Sequence, residues 1–190
     1  MVSSAAQDPL RQPAPGELEL IRDFVNTFDL EDGKERLRTG EDLAAWMGSH
    51  GLEAASTPSD ADLRRAIEFR EAIRGLLLAN NGQPLPAETT DELREAAERG
   101  SVRLEVEADG RISTRPASGG VDGLVAKLLE VASRAQLEGT WGRLKACPAE
   151  TCAWAFYDES RNSSRTWCSM GVCGNRAKTR RYRSRKRARP

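Results

Sequence analysis

Four cysteines, Cys147, Cys152, Cys168 and Cys173, form two C-x-x-x-x-C pairs separated by fifteen residues, and the chain has no others. Two short loops can each offer two thiolates to one tetrahedral ion, while the stretch between them closes the site, and this favours zinc. Two disulfides or four unligated thiols are the alternatives. The first sixteen residues contain three prolines and no apolar core of a signal peptide, so they read as a flexible leader, 1–16. In a chain without such a signal, clustered thiols point to metal. A site filled by four cysteines leaves no open position, so the ion expected here is structural and does not activate water. The cytoplasm is the expected compartment, and no run of 18 apolar residues offers a membrane span.

Charge divides the chain at about the same place. Residues 1–140 carry 16 Lys and Arg against 26 Asp and Glu, a net −10; residues 141–190 carry 13 against 3, a net +10. The overall balance of zero hides an acidic half and a basic half, an asymmetry that suggests a basic nucleic-acid- or membrane-contacting part beside an acidic globular part.

Apolar residues at spacings of three and four, Leu18, Ile21, Val25 and Phe28, predict a first helix, and the charged DLEDGKERLRTG after it reads as a loop. Thr39 with Asp42, and Ser59 with Asp62, have the form of capping boxes opening two further helices, the second running to Asn80. A weaker helix is expected in TTDELREAAER. Val102, Leu104 and Val106 then alternate with charged residues, Asp109-Gly110 makes a turn and Ile112 begins a return, which predicts a β-hairpin with one buried face. A last helix from Val121 ends near Gly139, the expected boundary. The fold class is α+β: a mainly helical N-terminal domain with a β-hairpin, 17–139, followed by a zinc module of strand, knuckle and basic helix, 141–190. In AWAFYD, Trp154 and Phe156 alternate as on a short strand and can cover the metal site.

After the second cysteine pair no proline interrupts the chain until Pro190, and positions 176–190 hold nine Lys and Arg. On a helix, Arg176, Arg180, Arg183 and Arg187 share one stripe, with Lys178, Arg181, Arg185 and Arg189 roughly opposite. Guanidinium groups suit bidentate contact with phosphate, and Arg161 and Arg165 add charge beside the metal. Nucleic acid is the expected partner, although a solvated tail or an acidic protein would use the same charges.

The segment KACPAETCAWAFYDESRNSSRTWCSMGVCGNRAKTRRYR resembles the CGNR zinc finger, named for Cys173, Gly174, Asn175 and Arg176. The upstream LIRDFVNTFDL, with Asn26 and Thr27, resembles the opening of the ABATE domain that accompanies this finger in a family of proposed bacterial stress-induced transcription regulators. The resemblance implies one zinc ion on Cys147, Cys152, Cys168 and Cys173, double-stranded DNA as the partner of the basic helix including Asn175, and an N-terminal domain that senses a ligand. An RNA- or ribosome-associated zinc protein is the alternative.

An enzyme in residues 17–138 is disfavoured, because that region has no cysteine, one histidine and no phosphate-cradling glycine motif. The histidine, His50, sits before Gly51 where a helix C-cap is ordinary. Asp23 and Asn26 on the first helix and Arg70 and Arg74 on the third are candidates for an effector pocket, with interhelix salt bridges as the plainer reading. A small-molecule effector and a homodimer both stay open.

Overall fold

A computed structural model describes residues 12–54 and 56–187. Most of the expected leader lies outside this set. Of its last residues, Ala14 is buried and its N–H donates to Glu19 Oε2 at 2.6 Å.

Helix α1, Leu18–Val25, buries Leu18, Ile21, Phe24 and Val25, the stripe that a period of 3.6 produces. A two-residue ladder follows, β1 (Phe28–Asp29) against β2 (Lys34–Glu35), with Asp29 Oδ1 accepting from the N–H groups of Glu31 and Asp32 in the turn. The sequence pattern puts Phe28 on the first helix and the charged residues after it in a loop; the helix ends at Val25 instead, and a two-residue strand carries no measurable period. Helix α2 (Gly40–Ser49) opens on the Thr39–Asp42 capping box and α3 (Asp60–Ala79) on the Ser59–Asp62 box, both as expected. Hydrogen bonds from Arg65 and then from Ser59 draw the Asp62 carboxyl down to about 2, so the α3 cap stays ionised well into acid. Helix α4 spans Ala87–Arg99 and the long α5 spans Gly120–Leu137. Helix α5 is followed by Gly139, whose φ of +71° is cheap for glycine alone.

Between α4 and α5 stands the hairpin of β3 (Val102–Val106) and β4 (Ile112–Pro116), paired antiparallel with Leu104 opposite Thr114. Its existence and turn match the sequence; its burial does not. Val102, Leu104, Val106 and Ile112 are 47%, 72%, 73% and 67% exposed. Only the base of the hairpin rests on α5, where Thr114 Oγ1 donates to Glu130 and Pro116 lies under Gly123. The apolar stripe beyond that base faces solvent. Alternation identifies a two-sided strand but does not say what covers either side.

The main core is one cluster in which Ile21, Phe24, Leu43, Met47, Ile73, Leu77, Leu124 and Leu128 have essentially no exposure. Phe24 sits at its centre, 5.1 Å from the Trp46 ring and 6.5 Å from the Phe69 ring. The same cluster includes Leu144, Ala146 and Ala155, which lie beyond Gly139. They belong to the hairpin of β5 (Leu144–Ala146) and β6 (Ala155–Tyr157). The division expected near Gly139 is therefore one of charge and motif, while the packing runs across it. Helix α6 (Asn175–Arg187) follows a short π-type turn, Met170–Gly174.

Candidate metal centre and basic helix

The β5–β6 hairpin is a wall between two cores. Leu144 pairs with Tyr157, Lys145 with Phe156 and Ala146 with Ala155, so side chains alternate across it. Leu144, Ala146, Ala155 and Tyr157 pack into the helical core, while Phe156 packs on the cysteines with Trp154 and Trp167 beside it. Trp154 and Phe156 thus adjoin the site as the sequence suggests.

Cys147, Cys152, Cys168 and Cys173 are buried, and their sulfur atoms all lie within 4.8 Å of one another. Cys152 and Cys168 are 3.5 Å apart and Cys168 and Cys173 3.7 Å, far beyond the ~2.05 Å of a disulfide. A tetrahedral zinc with bonds of about 2.3 Å places its sulfurs about 3.8 Å apart, so the cluster fits the ion. The first loop is turned by Cys152 N–H bonding to Ala149 O at 2.8 Å, and closed by Cys147 N–H bonding to Trp154 O at 2.9 Å. Without a cation, such crowding admits little negative charge. Hydrogen bonds from Cys152 and Cys168 draw the Cys147 thiol down to about 2, and the same contact with Cys147 pushes Cys152 up to about 12. Cys168 is pushed up by its bonds with Cys147 and Cys152, and Cys173 by burial. One structural zinc ion resolves this conflict by compensating all four thiolates at once. What zinc supplies is a fold constraint.

The loop that carries Cys168 has a second clamp, absent from the expectations. Lys145, on the wall's finger side, donates to Asp158 Oδ2, to Ser163 O (both 2.7 Å) and to Arg165 O (3.2 Å). Asp158 is fully buried and also accepts from the N–H groups of Ser160 and Arg165. Burial alone would raise its pKa, but the Lys145 and Ser160 bonds outweigh it and hold the carboxyl below its ordinary value. Arg165 turns inward, with its guanidinium 5.0 Å over the Phe156 ring and bonded to the carbonyls of Trp167 and Cys168. This residue, expected at phosphate, holds the metal loop instead; Arg161 is exposed.

Polar side chains also stitch the wall to the helices. Asn26 bonds to Ala155 in both directions, Nδ2 to O at 2.9 Å and N–H to Oδ1 at 2.8 Å. Arg74 donates to Ala153 O and Val25 O, each at 2.8 Å, and pairs with Glu71. Asn80 reaches Trp141 O and Leu144 O, and Asn81 reaches Ala146 O and Thr166 O. Arg70, 2% exposed, bonds to Glu35, Glu71 and Thr27. Asp23 accepts from Trp46 Nε1 at 2.8 Å and from Arg36 at 3.2 Å. The four candidate effector residues are thus committed inside the chain. Asp23 and Asn26 do not bridge to Arg70 and Arg74, so the plainer alternative of salt bridges between α1 and α3 does not hold either. Asn80 and Asn81 stand where the sequence ends the third helix, and both serve as a latch.

His50 caps α2. Its Nε2 is 3.3 Å from Asp23 Oδ2, and Ser49 Oγ lies 3.1 Å from its Nδ1, an arrangement with the members of a hydrolytic triad. Nδ1 also lies 2.9 Å from Trp46 O. Ser49 Oγ itself donates to Trp46 O at 2.7 Å.

Helix α6 leaves the metal centre immediately after Cys173. Gly174 allows this exit: a Cβ there would lie 2.4 Å from Met170 Sδ and 3.2 Å from Trp167 Cδ1. Asn175 donates to Gly171 O at 3.0 Å. Arg176, Lys178, Arg180, Arg181 and Arg183 are all exposed; the side chain of Arg187 and residues 188–190 lie outside the described set. Val172, Asn175, Arg176, Thr179, Arg180 and Arg183 line one open groove along the helix. Arg176 pairs with Glu31 at 2.5 Å and Arg180 with Glu150 at 3.4 Å.

The CGNR zinc finger profile matches residues 143–186. The ABATE profile, described as "Putative stress-induced transcription regulator", matches residues 18–150. The chain belongs to the ABATE family. No curated protein matches it significantly. The two ABATE and CGNR spans overlap in β5 and the first metal loop, where the wall joins both cores. Among the described residues, no helix is long and apolar enough to cross a membrane.

Proposed function

We propose that this ABATE protein binds double-stranded DNA through α6, with zinc fixing the root of that helix and the helical body fixing its direction. The observation that carries the reading is a run of exposed cations on a helix that starts at a metal-clamped cysteine and contains no acidic residue. A helix of thirteen residues is roughly 20 Å long and of a width that enters a major groove. Arg176 and Arg183 face the groove side, Lys178 and Arg181 the other flanks, so phosphates on both sides of a duplex groove are within reach of one element. Arg165 is excluded from the contact set, because its guanidinium is spent on the metal loop.

The body's part in this reading is architectural. Asn26, Arg70 and Arg74 belong to the internal network, and Glu31 supplies an acidic partner that holds Arg176 until a phosphate replaces it. The protein acts by binding, and the Ser49, His50 and Asp23 group is a helix terminus.

The test is competition between duplex DNA and structured RNA for the zinc-loaded full chain across a salt series. Neutralising about four to six phosphates gives a log–log slope near −4 to −5 for duplex DNA. A flat salt dependence rejects phosphate contact by α6, and preference for structured RNA transfers the helix to the RNA-associated class.

A further inference from the structure

The exposed stripe of β3 has the three properties of an unfinished sheet: free backbone groups, an apolar face and a self-complementary charge pattern. The Ala117 N–H bonds to Ser101 O and the Glu107 N–H to Arg111 O, so residues 101, 103, 105 and 107 direct their backbone groups at β4. Val102, Leu104 and Val106 then direct theirs away from it, and among the described residues no backbone partner meets them. The opposite edge of the hairpin is blunted, because Pro116 has no N–H to give and Thr114 is tied to Glu130 on α5. Val102, Leu104, Val106 and Ile112 share one face by register, and all four are exposed. An open edge and an apolar face together are the features that strand addition uses.

We infer that β3 is the seam of a homodimer, in which two copies join edge to edge and antiparallel with Leu104 on the two-fold axis. This register is singled out by charge. About Leu104, Val102 lies opposite Val106 of the partner subunit, and Arg103 lies opposite Glu105 of the partner subunit, twice by symmetry. Moving the axis one residue either way sets Arg103 against its own copy or Glu105 against its own copy, which is destabilising for directly opposed like charges. Centring on Leu104 also places Val102, Leu104 and Val106 in hydrogen-bonded positions, the parity that their outward backbone groups require. The product is a four-stranded sheet with a continuous apolar stripe and a closed two-fold contact. Five residues from each copy make a small interface, of the size of weak and transient contacts, and association in the micromolar range is expected. The inference is independent of what α6 binds.

The experiment is sedimentation of the zinc-loaded full chain between roughly 1 and 200 µM, a range that brackets such an affinity. The expected result is a monomer–dimer equilibrium. Leu104→Arg, Arg103→Glu and Glu105→Arg should each weaken it at least about tenfold, since each sets like charges across or beside the axis. Leu104 and Arg103 are exposed, while Glu105 is half-buried and pairs with Arg103 at 3.1 Å and Arg115 at 2.7 Å in its own chain, so an unchanged helical circular dichroism spectrum is required of each variant. Mixing Arg103→Glu with Glu105→Arg should restore a dimer, now mixed, because every opposed pair is again of opposite sign. A monomeric wild type over the whole range overturns the inference. So does a dimer indifferent to Leu104→Arg, or a mixture of the two charge variants that stays monomeric.

Discussion

The helical body and the finger share one wall but are ordered by different forces. In the body, Ile21, Phe24, Leu43, Ile73, Leu77, Leu124 and Leu128 are buried, and each such side chain contributes about 1.5–3 kcal/mol. On the far side of the wall the cluster consists of four cysteines and Phe156, with tryptophans only partly covered. Thiols repel when they ionise, and the other clamp there, Lys145 with Asp158, offsets its own desolvation more than it adds stability. The body can hold its shape by burial alone; the finger depends on its ion. Because β5 and β6 present residues to both sides, the difference is not insulated.

Removing the metal breaks the comparison most severely. Chelation should abolish the fixed structure from Cys147 to Gly174 and leave α6 without a root, while the body remains folded with a lower melting temperature, since Leu144, Ala146 and Ala155 are part of its core. Far-ultraviolet dichroism and tryptophan fluorescence during titration with a chelator measure both events. An unchanged melting temperature for the body would show that the wall transmits nothing. Zinc binding should release close to four protons near neutral pH, because in the metal-free, unfolded finger all four thiols carry their protons and each must give one up to become a ligand. Affinity must then fall as pH falls. Calorimetry in buffers of differing ionisation enthalpy counts the protons.

The seam comes next. Arg74→Ala leaves carbonyls of Val25 and Ala153 without their buried donor and should cost about 3–5 kcal/mol in denaturant unfolding. Asn26→Asp keeps the shape but replaces a donor with an acceptor against Ala155 O, at about 1–3 kcal/mol. If either variant instead melts like the parent but binds zinc more weakly, the seam serves the finger alone.

These residues mark where sequence reading stops. Capping boxes, helix stripes and the cysteine spacing are local patterns, and α2, α3, α5 and the metal ligands follow from them. The seam is a set of contacts between residues 49 to 129 positions apart, such as Val25 with Arg74 and Asn26 with Ala155, and no local period encodes it. Asp23, Asn26, Arg70 and Arg74 stand out in sequence as polar groups near apolar faces, which is true of a ligand pocket and of a seam alike. The exposed stripe of β3 fails for the converse reason: its alternation is clear, but burial depends on whether another element, or another chain, lies against it.

A smaller effect tests whether the body's charge reaches the finger. Glu31→Gln removes the acidic partner of Arg176, an exposed pair, and should raise affinity for duplex DNA by up to about threefold at low salt. The gain should vanish near physiological salt, where exposed charges are screened within about 8 Å. An affinity that falls on substitution would mean that Glu31 orients Arg176 for contact.

The smallest effect comes from backbone strain, and it too divides the regions. Among the described residues, the non-glycine positions with positive φ are Ala153 at +48° and Ser163 at +49°, both beyond the wall. A left-handed conformation costs an ordinary residue roughly 1–2 kcal/mol, which the finger accepts to aim Ala153 O at Arg74 and Ser163 O at Lys145. Replacing either residue by glycine removes that cost, and the added freedom of the unfolded chain takes back only part of the gain. Ser163 is half-buried and, among the described residues, its side chain makes no hydrogen bond, so Ser163→Gly should stabilise the zinc-loaded protein by about 0.5–1 kcal/mol. Ala153 is 8% exposed, and losing its methyl removes part of the same gain, so Ala153→Gly should fall near zero. Thermal melts of the two variants beside the parent decide the point. Destabilisation by both would mean that the metal, and not local geometry, already dictates these angles at no cost.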